Sequence, residues 1–324
     1  MRNKLIHGML IALLILAVPF AASAKPGQQQ AIVLAVFGTS HIEGLPGILD
    51  IRDRVQRAFP HTRVELAFTS NIVRRIWQQR RHDPRYRGEH PEVPKDILDV
   101  KGPLAAMADL QDEGYGSIII QPTHIASGEE FADLSAYVDG FNAIRTVKAR
   151  NLPFKQMCIG RPALGTPGIE HPYRHDIEIA AKALATDVAA AAKEQRALVY
   201  MAHGNEHYST GYYLELEAVM REMYPQTPVY IGVVEGFPDL PRVVAALERD
   251  GVRKVYLKAL MTVAGDHAQN DMAGPESDSW QKRLASRGMN VQVDLHGVGE
   301  NPAFAEIFVQ HIRDAAKDHG LELR

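Results

Sequence analysis

The stretch ALVYMAHGNEH, residues 197–207, decides the fold, because an apolar run climbs to a His-Gly pair and then turns polar. Two later stretches have the same form. The sequence VYIGVVEGFP, at 229–238, reaches Glu235 and a glycine, and VYLKALMTVAGDHAQNDMAG, at 255–274, runs into His267. Short β-branched runs bounded by glycine predict strands with a sharp exit. Polar side chains therefore follow the predicted strand ends.

Strand patterns alternate with longer helical patterns along the chain. The strand candidates are residues 31–36, 63–68, 117–121, 197–201, 229–234, 254–260 and 291–295. The helix candidates are residues 47–59, 103–113, 175–193, 211–223, 238–250, 278–286 and 302–319. This alternation predicts an α/β fold of parallel sheets flanked by helices, in which ligands bind at the carboxyl ends of the strands.

The chain also repeats itself at three strand ends. The aligned pairs are VLAVFGTSH (33–41) with LVYMAHGNEH (198–207), VELAFTSN (64–71) with VYIGVVEG (229–236), and IIIQPTHIASGEEF (118–131) with VYLKALMTVAGDHA (255–268). The third pair is closer in the chain than the others, so the first half carries an insertion that includes the polar stretch 78–96. The repeat predicts two similar Rossmann-like lobes, residues 25–165 and 166–324, with an active-site cleft between them.

The two halves differ in the side chains at these strand ends. The second half carries His203, Glu235 and His267, and the first-half equivalents are Phe37, Ser70 and Glu130. Two imidazoles and a carboxylate at neighbouring strand ends could hold a divalent transition metal and leave coordination positions open. Histidine can also accept protons near neutrality. Spacing alone leaves a second interpretation open, in which the strand-end histidines only cap loops.

Composition narrows the class of protein. The chain has 324 residues and a formal net charge of −3, and its charge pattern predicts no binding to nucleic acid. The single cysteine, Cys158, cannot form an internal disulfide and is expected to be a small buried hydrophobe. The 14 histidines and the carboxylates are therefore the side chains available for a transition-metal site.

The amino terminus has the pattern of a secretory leader. Arg2 and Lys4 form a basic region, residues 9–20 are apolar, and Ala22-Ser23-Ala24 fits a cleavage site. We expect residues 1–24 to be a cleaved signal peptide and the mature protein to be periplasmic. An uncleaved membrane anchor is the alternative.

Five motifs, in order, resemble one family. They are FGTS (37–40), HIASGEEF (124–131), MAHGNEH (201–207), VEGFP (234–238) and VAGDHAQNDMAGPESDSW (263–280). Over roughly residues 31–310 the chain is similar to the anaerobic sirohydrochlorin cobaltochelatases of the CbiK type, class II tetrapyrrole chelatases with the two-lobed ferrochelatase fold. The resemblance implies an enzyme that inserts cobalt(II), and often iron(II), into sirohydrochlorin for cobalamin synthesis. It also implies that His203 and His267 are catalytic metal ligands, with Glu235 as the nearby carboxylate.

Such a reaction sets expectations for the rest of the cleft. The pyrrole N–H protons must leave, and either histidine or the glutamate could be the general base. We expect Gly38, Ser40, Ser70 and Gly204 to line the substrate cleft. The carboxylates of the substrate suit arginine. The candidates are Arg74, Arg75, Arg80, Arg81, Arg85 and Arg87. A solvated charged loop is the simpler interpretation of this arginine-rich stretch.

The remaining polar residues of the motifs allow several roles. His124 is either a cleft histidine held by a hydrogen bond or the ligand of a second metal or a haem iron, for example where two subunits meet. A bound haem and a homo-oligomer, dimer or tetramer, therefore stay open. His207 is interpreted as cleft lining. Asp266 and Asp271 are expected to fix the GDHAQND loop by local hydrogen bonds.

Export suggests alternative functions. The chain could be a periplasmic metal, haem or tetrapyrrole binding and transport protein that kept the chelatase fold. A two-lobed periplasmic solute-binding protein would share export and shape but would not need the His-Glu-His set. A zinc hydrolase is disfavoured because the sequence has no H-E-x-x-H helix.

Overall fold

The computed structural model describes residues 29–205 and 210–324, which form two four-stranded parallel sheets. The first sheet has the order β2-β1-β3-β4, with β1 (Gln29–Val36), β2 (Arg63–Phe68), β3 (Tyr115–Pro122) and β4 (Gln156–Ile159). The second has the order β6-β5-β7-β8, with β5 (Ala197–Gly204), β6 (Val229–Glu235), β7 (Lys254–Leu260) and β8 (Asn290–Asp294). The identical orders confirm the predicted α/β fold of two similar sheets. The predicted signal peptide, residues 1–24, and His207 lie outside the described residues.

Helices flank both sheets. In the first half they are α1 (Leu45–Ala58), α2 (Asn71–His82), α3 (Pro84–Glu89), α4 (Lys95–Leu98), α5 (Pro103–Asp112) and α6 (Glu129–Asn142). In the second half they are α7 (Tyr173–Ala183), α8 (Ala185–Lys193), α9 (Thr210–Met223), α10 (Leu240–Arg249), α11 (Trp280–Ser286) and α12 (Pro302–Asp318). Within the described ranges, no helix is both long enough and apolar enough to cross a membrane.

The secondary structure predicted from the sequence differs from the observed one in three places. The predicted helix 175–193 is broken at Leu184, where Asn301 donates a side-chain hydrogen bond of 2.8 Å to the Ala183 carbonyl. The arginine-rich stretch is helical rather than a loop, because Asp83 caps α3 by accepting backbone N–H bonds from Arg85 and Tyr86. Strand β4 and helices α2, α3, α4 and α6 were not predicted, since β4 is a four-residue edge strand, α6 mixes acidic and apolar residues, and α2 to α4 lie in or beside the polar stretch 78–96.

The core explains why the central strands are apolar throughout. Strands β1 and β5 pair on both sides and are buried along most of their length, as expected where helices cover both faces of a parallel sheet. Helix α12, the last of the chain, packs on α1 and β3, and its Phe304 and Phe308 are fully buried. The C-terminal helix thus contributes to the core of the first sheet. The lobe boundary between residues 165 and 166 stays a prediction.

A buried ion network ties β7 to its neighbours in the second sheet. Lys258 Nζ lies 2.9 Å from Asp187 Oδ1 and 3.0 Å from Asp294 Oδ2. Tyr200 and Tyr256 donate hydroxyl hydrogen bonds to the same two carboxylates. Burial opposes the charge on Lys258, but both aspartates outweigh it and hold its pKa above the ordinary value. Burial likewise opposes ionisation of Asp294, and its hydrogen bonds together with Lys258 lower its pKa to about 2.

Replacement of the central cation should destabilise the fold. Lys258→Met leaves the buried Asp187 and the half-buried Asp294 without their counter-ion, and we expect the free energy of unfolding to fall by about 3–5 kcal/mol. Chemical denaturation of the purified protein measures this change. Lys254→Met, at an exposed position of the same strand, is the matched control and should have little effect. Equal midpoints for the two variants would show that the network does not stabilise the fold.

Candidate active site

Two adjoining cavities lie at the carboxyl ends of the sheets. The central cavity, about 430 Å³, is lined by Val36, Phe37, Gly38, Thr39, Ser40, Ile48, Ser70, Ile72, Val73, Ile76, Thr123, His124, Ile125, Ala126, Glu130, His203, Gly204, Asn205, Tyr213, Met261, Thr262, Val263, Gly265, Asp266 and His267. The side cavity, about 420 Å³, is lined by Phe37, Thr69, Ser70, Asn71, Arg74, Gln78, Lys101, Gly102, Pro103, Leu104, Ala105, Glu130, Asp133, Leu134 and Tyr137. Both halves of the chain contribute to the central cavity, as the predicted cleft requires.

The central cavity brings together the two histidines predicted to bind metal. His203 is near the end of β5, and His267 follows β7, its neighbour in the sheet, at the start of a π-helical turn (Ala268–Met272). Their ring centroids are 4.8 Å apart, with the rings nearly perpendicular. Parallel pairing of β5 and β7 thus produces this arrangement from residues far apart in the chain.

Hydrogen bonds at Nδ1 orient both imidazoles. His203 Nδ1 lies 2.9 Å from the Gly204 carbonyl, and His267 Nδ1 lies 2.5 Å from Asp271 Oδ2. A neutral imidazole that donates from Nδ1 keeps its lone pair on Nε2. Among the described residues neither Nε2 atom has a hydrogen-bond partner, so each is available to a metal or a proton. Asp271 makes the local hydrogen bond that was expected, and this bond also orients the His267 ring.

The third predicted ligand does not join the pair. Glu235 ends β6, on the opposite side of β5 from β7, and its register partner is Gly204. It is exposed and does not line the central cavity. Within residues 29–205 and 210–324, no group of three or more His, Cys, Asp or Glu side chains is positioned to hold a metal. A metal-binding role for Glu235 stays a prediction.

A first-half carboxylate and a buried imidazole lie on the wall of the same cavity. Glu130 lines both cavities, and the sequence analysis identified it only as the counterpart of His267 in the repeat. The alignment of the two halves was the sequence signal that pointed to Glu130. Both ring nitrogens of His124 are buried without a hydrogen-bond partner in the described chain, so the expected hydrogen-bonded role is not found. Burial lowers the pKa of His124 to about 4, against the opposing charge of Glu130. Its imidazole is neutral at pH 7.

Two side chains of helix α2 hold the FGTS loop, which follows β1, by hydrogen bonds to its backbone carbonyls. The indole nitrogen of Trp77 donates to the Thr39 carbonyl at 2.7 Å. Arg80 donates to the Ser40 carbonyl at 2.5 Å and stacks over the rings of Trp77 and Tyr86. Arg80 therefore positions the predicted substrate loop instead of binding a substrate carboxylate from solvent.

The four residues expected to line the substrate cleft all border the central cavity. Gly38 and Gly204 are equivalent in the repeat and share left-handed backbone angles, with φ of 97° and 81°. The Ser70 hydroxyl caps α2 by accepting the Val73 N–H, while Ser40 lies on the pinned loop. Substrate binding by these residues stays a prediction, but their placement is the one that was expected.

Local hydrogen bonds also organise the turn that carries His267. Asn270 donates to Asp266 Oδ1 at 2.9 Å, and Asp266 Oδ1 lies 3.5 Å from His41 Nε2 in the first half of the chain. The expected local bonding of Asp266 is present, and the GDHAQND segment is a π-helical turn rather than a loop. Asp266 thus also connects the turn to the FGTS side of the cavity.

The glycine that follows His203 should resist substitution. At Gly204 a Cβ atom would lie 2.1 Å from the Glu235 carbonyl oxygen, and the left-handed angle adds strain. We expect Gly204→Ala to lower the free energy of unfolding by about 1–3 kcal/mol from strain alone, with the collision adding to it. Gly140→Ala in α6, where a Cβ meets nothing within 4 Å, is the control and should stabilise by up to about 1 kcal/mol. Thermal or chemical denaturation checks both, and a neutral Gly204→Ala would contradict the structure.

Comparison with known proteins supports the resemblance seen in the motifs. The chain is 31% identical over 298 residues to the sirohydrochlorin cobaltochelatase CbiKC of Nitratidesulfovibrio vulgaris, covering 90% of this chain and 94% of that protein. It is 29% identical over 288 residues to the sirohydrochlorin cobaltochelatase of Salmonella typhimurium, covering 89% and 96%.

Solved structures share the fold. The chelatase SirB from Bacillus subtilis with Fe³⁺ has a TM-score of 0.56 at 13% identity and covers 91% of this chain and 100% of that one. The family model described as cobalt chelatase (CbiK) matches residues 30–317. The chain therefore belongs to the CbiK family of cobalt chelatases, the class of metal-inserting enzyme that its motifs predicted.

Proposed function

We propose that this protein inserts cobalt(II) into sirohydrochlorin, with the metal delivered by His203 and His267. The observation that carries the proposal is the pair of imidazoles 4.8 Å apart in the wall of the central cavity. Family membership and the names of the two curated relatives support the reaction. Cobalt is a substrate here, so binding must be strong enough to capture it and weak enough to release it.

The two histidines suit this transient binding. Imidazole nitrogen is a good ligand for cobalt(II), and two protein ligands leave coordination positions open to the pyrrole nitrogens. Hydrogen bonds at Nδ1, to Gly204 O and Asp271, hold each Nε2 lone pair in place. Metal and macrocycle then meet within one cavity, which supplies proximity. Glu235, at the end of the neighbouring strand and paired in register with Gly204, is proposed as an additional ligand.

The reaction must also take up protons from the pyrrole nitrogens. His203 and His267 can accept protons at Nε2 once the metal has left them, and Glu130, which lines the same cavity, is a further acceptor. The neutral, buried His124 adds no positive charge that would repel the metal. These groups allow metal transfer and proton removal to occur at the same place.

Iron(II) is proposed as a second metal substrate, and haem is not included. Solved SirB structures contain either Fe³⁺ or cobalt, which shows that the two metals can be bound on this fold. His124, the residue considered as a haem ligand, has both ring nitrogens buried. Neither nitrogen has an open approach for an iron outside the protein, so His124 as described does not fit that role.

We propose further that the protein works in the periplasm. The support is the leader pattern of residues 1–24, with its basic start, apolar centre and Ala-Ser-Ala site. A chelatase outside the cytoplasm would serve metal or tetrapyrrole traffic rather than cytoplasmic cobalamin synthesis.

Cell fractionation tests the location. The full chain, expressed in a Gram-negative host, should appear in the periplasmic fraction with an amino terminus near Lys25, as read by terminal sequencing. Leu14→Arg places a charge in the apolar region and should retain the uncleaved chain in the cytoplasm. An uncleaved parent chain in the membrane fraction would indicate an anchor, and one in the cytoplasm would reject export.

An anaerobic insertion assay tests the activity. Purified protein is mixed with sirohydrochlorin and cobalt(II), or iron(II), and the absorbance change on metallation is followed. We expect His203→Ala and His267→Ala each to lower the rate by about 10²-fold or more, because each removes a metal ligand and proton acceptor. His175→Ala, an exposed histidine away from the cavities, is the matched control and should keep the parent rate.

The outcomes separate the candidate functions. A parent rate no higher than that of the uncatalysed reaction would reject the enzyme. If the parent protein still bound sirohydrochlorin or cobalt under those conditions, the carrier function would take its place. Parent-like rates in both histidine variants, with folding retained, would reject the proposed site while leaving the activity.

A further inference from the structure

Arg74 differs from the other five arginines of the charged stretch in lining one of the two cavities. Its guanidinium Nη1 donates to the carbonyls of Phe68 and Thr69 at 2.6 and 3.0 Å, and Nη2 donates to the Asn71 side chain. The group lies against Gly102, where a Cβ atom would be 2.8 Å from Arg74 Cζ. Arg74 is thus wedged between the starts of α2 and α5, at the wall of the side cavity.

Arg74 has no carboxylate partner in the described chain. All three of its hydrogen bonds go to neutral oxygens, and a guanidinium has more donors than these bonds use. Burial and the neighbouring Arg75 lower its pKa, as expected for a cation without a counter-ion. By contrast, Arg81 pairs with Asp99 and Arg85 with Glu89.

A second group beside Arg74 also lacks a partner. The Thr69 hydroxyl oxygen is buried, has no hydrogen-bond partner among the described residues and belongs to the same cavity wall. A buried hydroxyl without a partner is costly, so this wall is less well satisfied than the rest of the site. A carboxylate in the side cavity could accept charge-assisted bonds from the guanidinium.

The side cavity adjoins the central cavity. Phe37, Ser70 and Glu130 line both, so an arm of a ligand in the central cavity has to pass these residues to enter the side cavity. The rim of sirohydrochlorin carries acetate and propionate arms, which are the part of the macrocycle that could reach this far.

We propose that the side cavity binds one acidic side arm of the macrocycle, with its carboxylate on Arg74, while the ring lies in the central cavity. This inference rests on the proposed function. The other charges of the cavity limit it to one arm: Lys101 is already paired with Asp109, and Glu130 and Asp133 line the cavity from α6. Among the described residues, the cavity therefore has one free cation for a carboxylate, and the adjacent acids disfavour a second one.

Metal-free titration of the protein with sirohydrochlorin tests the role of Arg74. We expect Arg74→Gln to raise the Kd about tenfold or more, the effect of losing a charge-assisted bond, and to raise KM with little change in kcat. Arg74→Lys should recover part of the affinity. Arg75→Gln, on the same helix but exposed and outside both cavities, is the control and should keep the parent Kd. Sirohydrochlorin esterified at its carboxyls should bind the parent and Arg74→Gln equally.

A second variant avoids the bonds that Arg74 makes to the backbone. Leu104 lies in the first turn of α5, is 48% exposed and lines the side cavity. Leu104→Glu should weaken sirohydrochlorin binding about tenfold by repulsion, whereas the neutral Leu104→Gln should not. If Leu104→Glu and Leu104→Gln bind sirohydrochlorin with the same Kd while both still metallate it, the side cavity holds no carboxylate and the proposed function stands. If the parent neither binds nor metallates sirohydrochlorin, the proposed function fails and this inference fails with it.

Discussion

The contact that joins the carboxyl edges of the two sheets determines the shape of the site. The Thr262 hydroxyl, just after β7, donates a 2.6 Å hydrogen bond to the carbonyl of Thr123, just after β3. The segment after β3 is itself held, because the amides of Ala163 and Leu164 donate to the carbonyls of His124 and Ile125. Each sheet alone would present its strand ends to solvent. Joined at these loops by a short threonine side chain bonded to a backbone carbonyl, the strand ends of both sheets enclose one cavity.

This connection between the sheets lets two similar halves contribute different side chains to one cavity. Two of the three repeat-equivalent pairs meet in the central cavity: Phe37 and His203 have ring centroids 6.3 Å apart, and Glu130 shares the cavity with its equivalent, His267. The second half supplies the imidazoles that can carry metal. The first half supplies a carboxylate, an aromatic ring and a loop pinned by Trp77. A duplicated fold thus gives one composite site, and neither half contains all of it.

The sequence predicted the parts of this site that follow from strand geometry. Parallel strands end at one edge, so apolar runs closing on His203 and before His267 were sufficient to expect two neighbouring imidazoles. It could not predict the contacts made by α2, because a helix with so many arginines has the composition of a solvated segment. Only the packing of Trp77 and the stacking of Arg80 show that one face supports the FGTS loop. The surroundings of Glu235 could not be predicted either. Its position at a strand end was predicted correctly, but β6 pairs on the side of β5 away from β7, and the side chain is exposed.

Asymmetry between the walls is what metal insertion into a flat ring requires. A macrocycle has two faces, and a metal approaches through one of them, so only one wall needs ligands with free lone pairs. On the proposed function His203 and His267 supply that wall, each with Nδ1 engaged and Nε2 without a partner among the described residues. Apolar side chains of α2 such as Ile72 and Ile76 line the same cavity and can contact a ring without competing for the metal. The first-half imidazole of the cavity, His124, has both ring nitrogens buried and does not compete for the cation. On the proposed function, ligands on one side only give the metal a single direction in which to move.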